Sequence, residues 1–143
     1  MIQLILMRHA QAEPAGLDAD DFARPLTAAG RAAAAQAAAV LAAEGVTVGR
    51  LLYSPASRTR ETAAIAAREL GLEANLLQEL PQLYLATPEV IRDMVERHGG
   101  QVRCLLVIGH NPGLSEYGGE LDPRLAQRSL PTAGVWRIAM QDA

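Results

Sequence analysis

The sequence predicts an α/β fold: a three-layer α/β/α sandwich with a mainly parallel central sheet. Three observations predict it. Short apolar runs alternate with longer stretches of helical character along almost the whole chain. Glycine or proline punctuates the junctions between them. Helical connections of this length also suit parallel strands, whose crossovers need a dozen or more residues and cover both faces of the sheet.

The elements follow in order. Ile2 to Met7, rich in Ile and Leu, is the first strand. Asp18 to Arg24 is polar and acidic and reads as a loop. Thr27 caps an alanine-rich helix running to about Glu44, where Gly45 provides the stop. Val48 to Tyr53 is the next strand, broken by Ser54-Pro55. A helix from about Ser57 to Leu70 ends at Gly71, and Ala74 to Leu77 reads as a short strand. Thr87-Pro88-Glu89 supplies the cap, first-turn proline and first-turn acid of a helix that ends near His98-Gly99-Gly100. Val102 to Ile108 is a strand, apolar apart from Arg103, a short helix begins near Pro112, and Gly134 to Met140 is a last strand at the sheet edge.

At 143 residues the chain is read as one domain, residues 1–143, a length that buries about two-thirds of the unfolded surface. Half of the residues are hydrophobic yet only 3% are aromatic, the excess being alanine, which favours closely packed helices. A net charge of −3 argues against nucleic acid as a partner, because phosphate backbones are held by basic surfaces. The single cysteine, Cys104, sits in an apolar strand and has no internal partner, which fits a reducing compartment and hence the cytoplasm. No apolar run approaches the roughly 20 residues of a membrane span. The first residues lack a basic region and read as a strand, not a secretion signal.

In open sheets of this class, ligands sit beyond the carboxyl ends of the strands. Arg8, His9, Ser54, Arg58 and His110 all fall at or just past such ends. A neutral imidazole carries a free lone pair and needs no general base to attack phosphorus. An adjacent arginine offers a planar fork of donors for phosphate oxygens. Arg8-His9 therefore reads as a nucleophile beside a phosphate ligand; the plainer alternative is a surface arginine and a satisfied loop histidine. Arg58 enters a helix whose first turn favours anions, whereas Arg60 points about 200° away and reads as surface. His110 lies before Asn111-Pro112-Gly113, a tight turn that would fix its ring. Protonated, it would add positive charge opposite Arg8 and Arg58. His98, at a helix C-terminus, has a sufficient structural role against the dipole.

Three histidines without a cysteine cluster or His-x-His spacing argue against a metal site, as do arginines that would repel a dication. No phosphate-binding glycine loop supports a nucleotide.

Arg8-His9, the segment Ser54 to Thr62, and Gly109-His110 occur in the order and context of the histidine phosphatase superfamily, with its phosphoglycerate mutase-like fold. Arg24-Pro25-Leu26-Thr27 with Gly30, and Gly109-His110-Asn111-Pro112-Gly113, resemble the small SixA-type phosphohistidine phosphatases. The resemblance covers nearly the whole chain. It implies His9 as the phosphorylated nucleophile, with Arg8, Arg58 and His110 binding the phosphate and its transition state. Transfer to His9 is then followed by attack of water, with no metal and no cofactor.

Three departures matter. Ala10 stands where the family usually has glycine, so the backbone there must suit an L-residue. The family's proton-donating carboxylate has no firm match; Glu79 lies in the right region, with a solvated loop glutamate as its alternative, and Asp18, Asp20 and Asp21 are weaker candidates. The chain is also too short for the insertions that enclose a small-molecule pocket in larger members. The resulting expectation is a cytoplasmic, monomeric phosphatase acting on a phosphohistidine-bearing protein such as a phosphotransfer domain. The alternatives are a phosphomonoesterase for a small phosphorylated metabolite or a catalytically silent phosphate-binding module.

Overall fold

In the computed structural model, which describes residues 1–15 and 20–140, alternation along each strand builds two cores on opposite faces of one sheet. Strand β1 (Gln3–Arg8) sends Leu4 and Leu6 to one face and Ile5 and Met7 to the other, all fully buried. Each such side chain is worth about 2 kcal/mol of transfer free energy. The remaining strands are β2 (Arg50–Tyr53), β3 (Leu77–Glu79), β4 (Cys104–Gly109) and β5 (Val135–Ala139). They form a five-stranded sheet in the order β3-β2-β4-β1-β5. Only β5 runs antiparallel, paired to β1 at the edge. The expected α/β sandwich is the observed fold.

Helices α1 (Ala28–Ala43) and α2 (Ser57–Leu70) cover one face. Ala34 and Ala38 of α1 and Ala63 and Ala66 of α2 are all buried in the core on that face, so methyl-sized side chains let the helices approach closely. Helices α3 (Pro88–His98) and α4 (Gly113–Leu121) cover the other face with Ile91, Met94, Leu114 and Tyr117. Thr27 and Thr87 cap α1 and α3 by accepting from the N–H groups of Gly30 and Val90. No helix among the described residues is long and apolar enough to cross a membrane.

The short strand expected at Ala74 to Leu77 is displaced. Residues Ala74–Leu76 form a 3-10 turn, and β3 starts at Leu77, opposite Leu51. The N–H groups of Leu76 and Leu77 bond back to the carbonyls of Glu73 and Ala74, so the chain satisfies itself locally before it reaches the sheet edge. Of the acidic loop expected from Asp18 to Arg24, Asp21–Ala23 forms another 3-10 turn, capped by the Asp20 side chain.

Two glycines are dictated by close approach. A Cβ on Gly30 would lie 2.2 Å from the Gln11 carbonyl oxygen, and one on Gly113 would lie 1.8 Å from that of Ala86. These contacts lock the segments after β1 and β4 against neighbouring loops, at the end of the sheet where the polar residues gather.

Candidate active site

β1 and β4 are adjacent and parallel, with Arg8 opposite Gly109, so His9 and His110 are the next residues of both strands. The His9 N–H donates to the Gly109 carbonyl at 3.1 Å, and the His9 carbonyl accepts from the Ala133 N–H at 3.1 Å. Both rings are buried, with centroids 5.4 Å apart and planes at 55°. They line a cavity of about 380 Å³ with Arg8, Arg24, Arg58, Asp21 and Asn111 among its other walls.

The His9 ring is oriented by its own neighbour. Nδ1 lies 2.7 Å from the Ala10 carbonyl oxygen, which can only accept. Nδ1 therefore carries the proton, and the lone pair sits on Nε2. Burial lowers the His9 pKa to about 4; the Ala10 hydrogen bond opposes this, and Arg58, Arg8 and Arg24 reinforce it. Near neutral pH the ring is uncharged. Ala10 is buried and has no left-handed backbone, so an L-residue fits where the family pattern has glycine. Its N–H donates to Thr62 Oγ1 at 3.1 Å, and Thr62 Oγ1 donates to the Arg58 carbonyl at 2.7 Å. One hydroxyl thus ties the backbone after His9 to the first turn of α2.

Arg58 is 3% exposed. Its Nη1 donates to the Asp21 carbonyl at 2.8 Å, and its Nη2 donates to Asp21 Oδ2 at 3.1 Å and to His110 Nδ1 at 3.3 Å. Arg8 donates from Nη1 to the Leu130 carbonyl at 3.2 Å. Among the described residues, the Nε–H of each arginine is buried without a partner, and an unsatisfied buried donor costs on the order of 1–3 kcal/mol. Both guanidiniums belong to residues that line the cavity, where charged donors favour an oxyanion. Arg60 does point elsewhere, pairing with Glu79 at 2.7 Å on the surface.

Burial, then Arg58 and His9, lower the His110 pKa to about 3, so near neutral pH the ring is uncharged. An arriving phosphate dianion reverses the local field and favours the protonated ring. His110 Nε2 lies 2.7 Å from Ser54 Oγ at the end of β2. Asn111 steadies the Arg8 side, donating to the Leu130 carbonyl at 2.9 Å, the oxygen that holds Arg8.

The carboxylates fall differently from expectation. Glu79, the expected proton donor, ends the edge strand β3, is engaged by Arg60 and is absent from the cavity wall. Geometry, set by the edge position of β3, removes it from the reaction centre. Asp20 caps the 3-10 turn, and Asp18 lies outside the described residues. The carboxylate on the cavity wall is Asp21. Tyr84 donates to its Oδ2 at 2.5 Å, and Arg24 to its Oδ1 at 3.0 Å. The Tyr84 hydrogen bond, then those of Arg24 and Arg58, bring its pKa down to about 2 against the opposing effect of burial, so it is an anion that organises arginines.

Sequence reasoning gave no roles to Ser54, Thr62, Tyr84 or Arg24. Arg24 had a signal in the Arg-Pro-Leu-Thr segment, which Glu61 anchors by accepting from the Leu26 N–H at 2.8 Å. Tyr84 had none. Among the described residues, no three His, Cys, Asp or Glu side chains gather to hold a metal.

Fold and cavity together gather two buried histidines and three arginines beyond the carboxyl ends of β1 and β4. The family follows: residues 4–98 match the histidine phosphatase superfamily (branch 1), and the chain belongs to it as a phosphatase. The matched span contains Arg8, His9 and Arg58 and ends before His110. An uncharacterized Mycobacterium tuberculosis protein is 34% identical over 139 residues, 90% of this chain and 84% of that one. An uncharacterized chloroplastic protein of Arabidopsis thaliana is 31% identical over 123 residues, 80% of this chain; the match spans 56% of that relative's length. Among solved structures, a protein from Agrobacterium tumefaciens, provisionally named phosphohistidine phosphatase SixA, is 25% identical. Its TM-score is 0.84, with 95% of this chain and 90% of that chain covered.

Proposed function

We propose that this phosphatase hydrolyses phosphohistidine on proteins through a covalent phosphoryl intermediate on His9. The observation that carries the reading is the state of the carboxylates. Asp21, on the cavity wall, is held as an anion, and Glu79 is engaged on the surface. An alkoxide leaving group needs a proton from a positioned acid. An imidazole leaving group departs neutral when its ring is protonated, and so needs no acid from the enzyme.

The reaction then runs in two balanced steps. The His9 Nε2 lone pair attacks phosphorus, and the P–N bond to the substrate breaks, its electron pair passing to the leaving imidazole. Water next attacks phosphorus, its proton passes to solvent or phosphate, and the P–Nε2 electron pair returns to His9, releasing inorganic phosphate. Arg8 and Arg58, on the cavity wall, hold non-bridging oxygens through their guanidiniums, with His110 donating once protonated. Such fixed donors act where charge develops and need no reorganisation. The groups all come from one chain, so a monomer suffices. The free, buried thiol of Cys104 suits the cytoplasm.

The test is side-by-side turnover of a phosphohistidine-bearing phosphotransfer protein and a panel of alkyl phosphate esters. The phosphoprotein should win in kcat/KM, with an acid-labile phosphoenzyme trapped on His9. An alkyl metabolite turned over faster would replace this reading with the small-molecule one.

A further inference from the structure

Hydrogen-bond polarity around His110 assigns a role to Ser54. The side chains of His110, Ser54 and Arg58 are all buried, at 2%, 0% and 3% exposure, so their partners are those the fold provides. Arg58 Nη2 approaches His110 Nδ1 at 3.3 Å, and a guanidinium can only donate. Nδ1 must therefore accept, which puts the ring proton on Nε2. That nitrogen lies 2.7 Å from Ser54 Oγ, the acceptor it requires. The Ala56 N–H also points at Ser54 Oγ, at 3.4 Å. The segment itself is pinned, because Thr59 Oγ1 donates to the Ser54 carbonyl at 2.8 Å and shares its proton with the Ala56 carbonyl at 2.9 Å.

We infer that Ser54 is a positioning residue that, with Arg58, fixes neutral His110 in the Nε2–H tautomer, so that when a phosphoryl oxygen draws the Arg58 donor onto itself Nδ1 is the nitrogen left to take a proton. The opposite tautomer would set an N–H of the ring against an N–H of Arg58 and leave Nε2 facing Ser54 as an acceptor. Without the hydroxyl, Nε2–H would be buried with no partner, and only the Arg58 contact would be left to favour this tautomer. The groups facing His110 are Arg58 from α2, His9 and Arg8 from the end of β1, Asp21 from the 3-10 turn, and the Tyr84 ring at 5.4 Å. Its protonation thus reads the charge of the whole cavity, and Ser54 decides which nitrogen responds. The inference concerns the phosphoryl-binding step and holds for any phosphate substrate.

The test begins with wild-type enzyme and ¹⁵N spectra of the histidine rings. His110 should show a protonated Nε2 and a bare Nδ1 without ligand, and two protonated nitrogens with saturating vanadate. A protonated Nδ1 in the unliganded enzyme overturns the inference. Ser54→Ala should lower kcat/KM for an aryl phosphate about 10- to 100-fold, shift the acid limb of its pH profile and mix the His110 tautomers. Ser54→Thr, which restores the hydroxyl, should recover activity to within about threefold and restore the single tautomer. Loss of activity in Ser54→Ala with the His110 spectrum unchanged would mark Ser54 as structural only and also overturn the inference.

Discussion

The ends of β1 and β4 place two histidines at equivalent positions, one residue past paired strands, yet the fold gives them different chemistry. His9 is oriented by the carbonyl of the next residue, a local contact that leaves Nε2 unencumbered. His110 is gripped at both nitrogens by residues 52 and 56 positions away, Arg58 and Ser54. A ring with one nitrogen free can form a bond to phosphorus; a ring with both nitrogens engaged can only bind and orient. The two rings thus share a place in the sheet and differ in their partners, and under the proposed mechanism it is the partners that separate nucleophile from ligand.

The sharpest way to break this comparison is to remove each ring in turn. His9→Ala should abolish aryl phosphate hydrolysis, a loss of about 10⁴-fold or more, with an unchanged circular dichroism spectrum. His110→Ala should still form phosphoenzyme, slowed by about 10²- to 10³-fold, the usual cost of a lost transition-state donor. Phosphoenzyme in the His9 variant, or equal residual rates in both, would erase the distinction.

Next comes Asp21, which serves the His110 side by holding Arg58. Asp21→Asn should slow ester and phosphoramidate hydrolysis by the same factor, about tenfold, because a positioned arginine serves both. A fall confined to esters would make Asp21 the general acid after all.

A smaller effect is read from stability against pH. Both histidines have folded-state pKa values, about 4 and about 3, below the ordinary value of 6.5. The unfolded chain therefore binds more protons across that window, and stability is complete above the unfolded value. It should fall as pH drops through 6.5 toward 4 and below. Thermal melts should show this fall, and saturating inorganic phosphate should flatten it by favouring the charged rings. A melting temperature that does not change over that interval contradicts the buried, neutral pair.

The least effect belongs to Glu79. Its pair with Arg60 is exposed, worth about 0–1 kcal/mol at most. Glu79→Gln should leave ester and phosphoramidate rates within about twofold. Selective loss of ester hydrolysis would return it to the reaction.

Much of this was legible in the chain. The caps at Thr27 and Thr87 and the stops at Gly45 and Gly71 are local chemistry, and the helices begin and end where those residues place them. The near-continuous apolar runs of β1 and β4 marked them as strands, and convergence of Arg8, His9, Arg58 and His110 followed from their placement at or just past strand ends. β3 was misplaced by a few residues because an edge strand starts where its partner does, a fact of register.

What the sequence determined by itself was the layer architecture and the placing of Arg8, His9, Arg58 and His110 at one end of the sheet, since both depend on short-range periodicity and on where strands end. Tertiary structure alone decided the proton on each ring, the anionic state of Asp21 and the exile of Glu79 to an ion pair. Those depend on desolvation and, for His110, Asp21 and Glu79, on partners contributed by distant segments, and neither is encoded in the spacing of neighbouring residues.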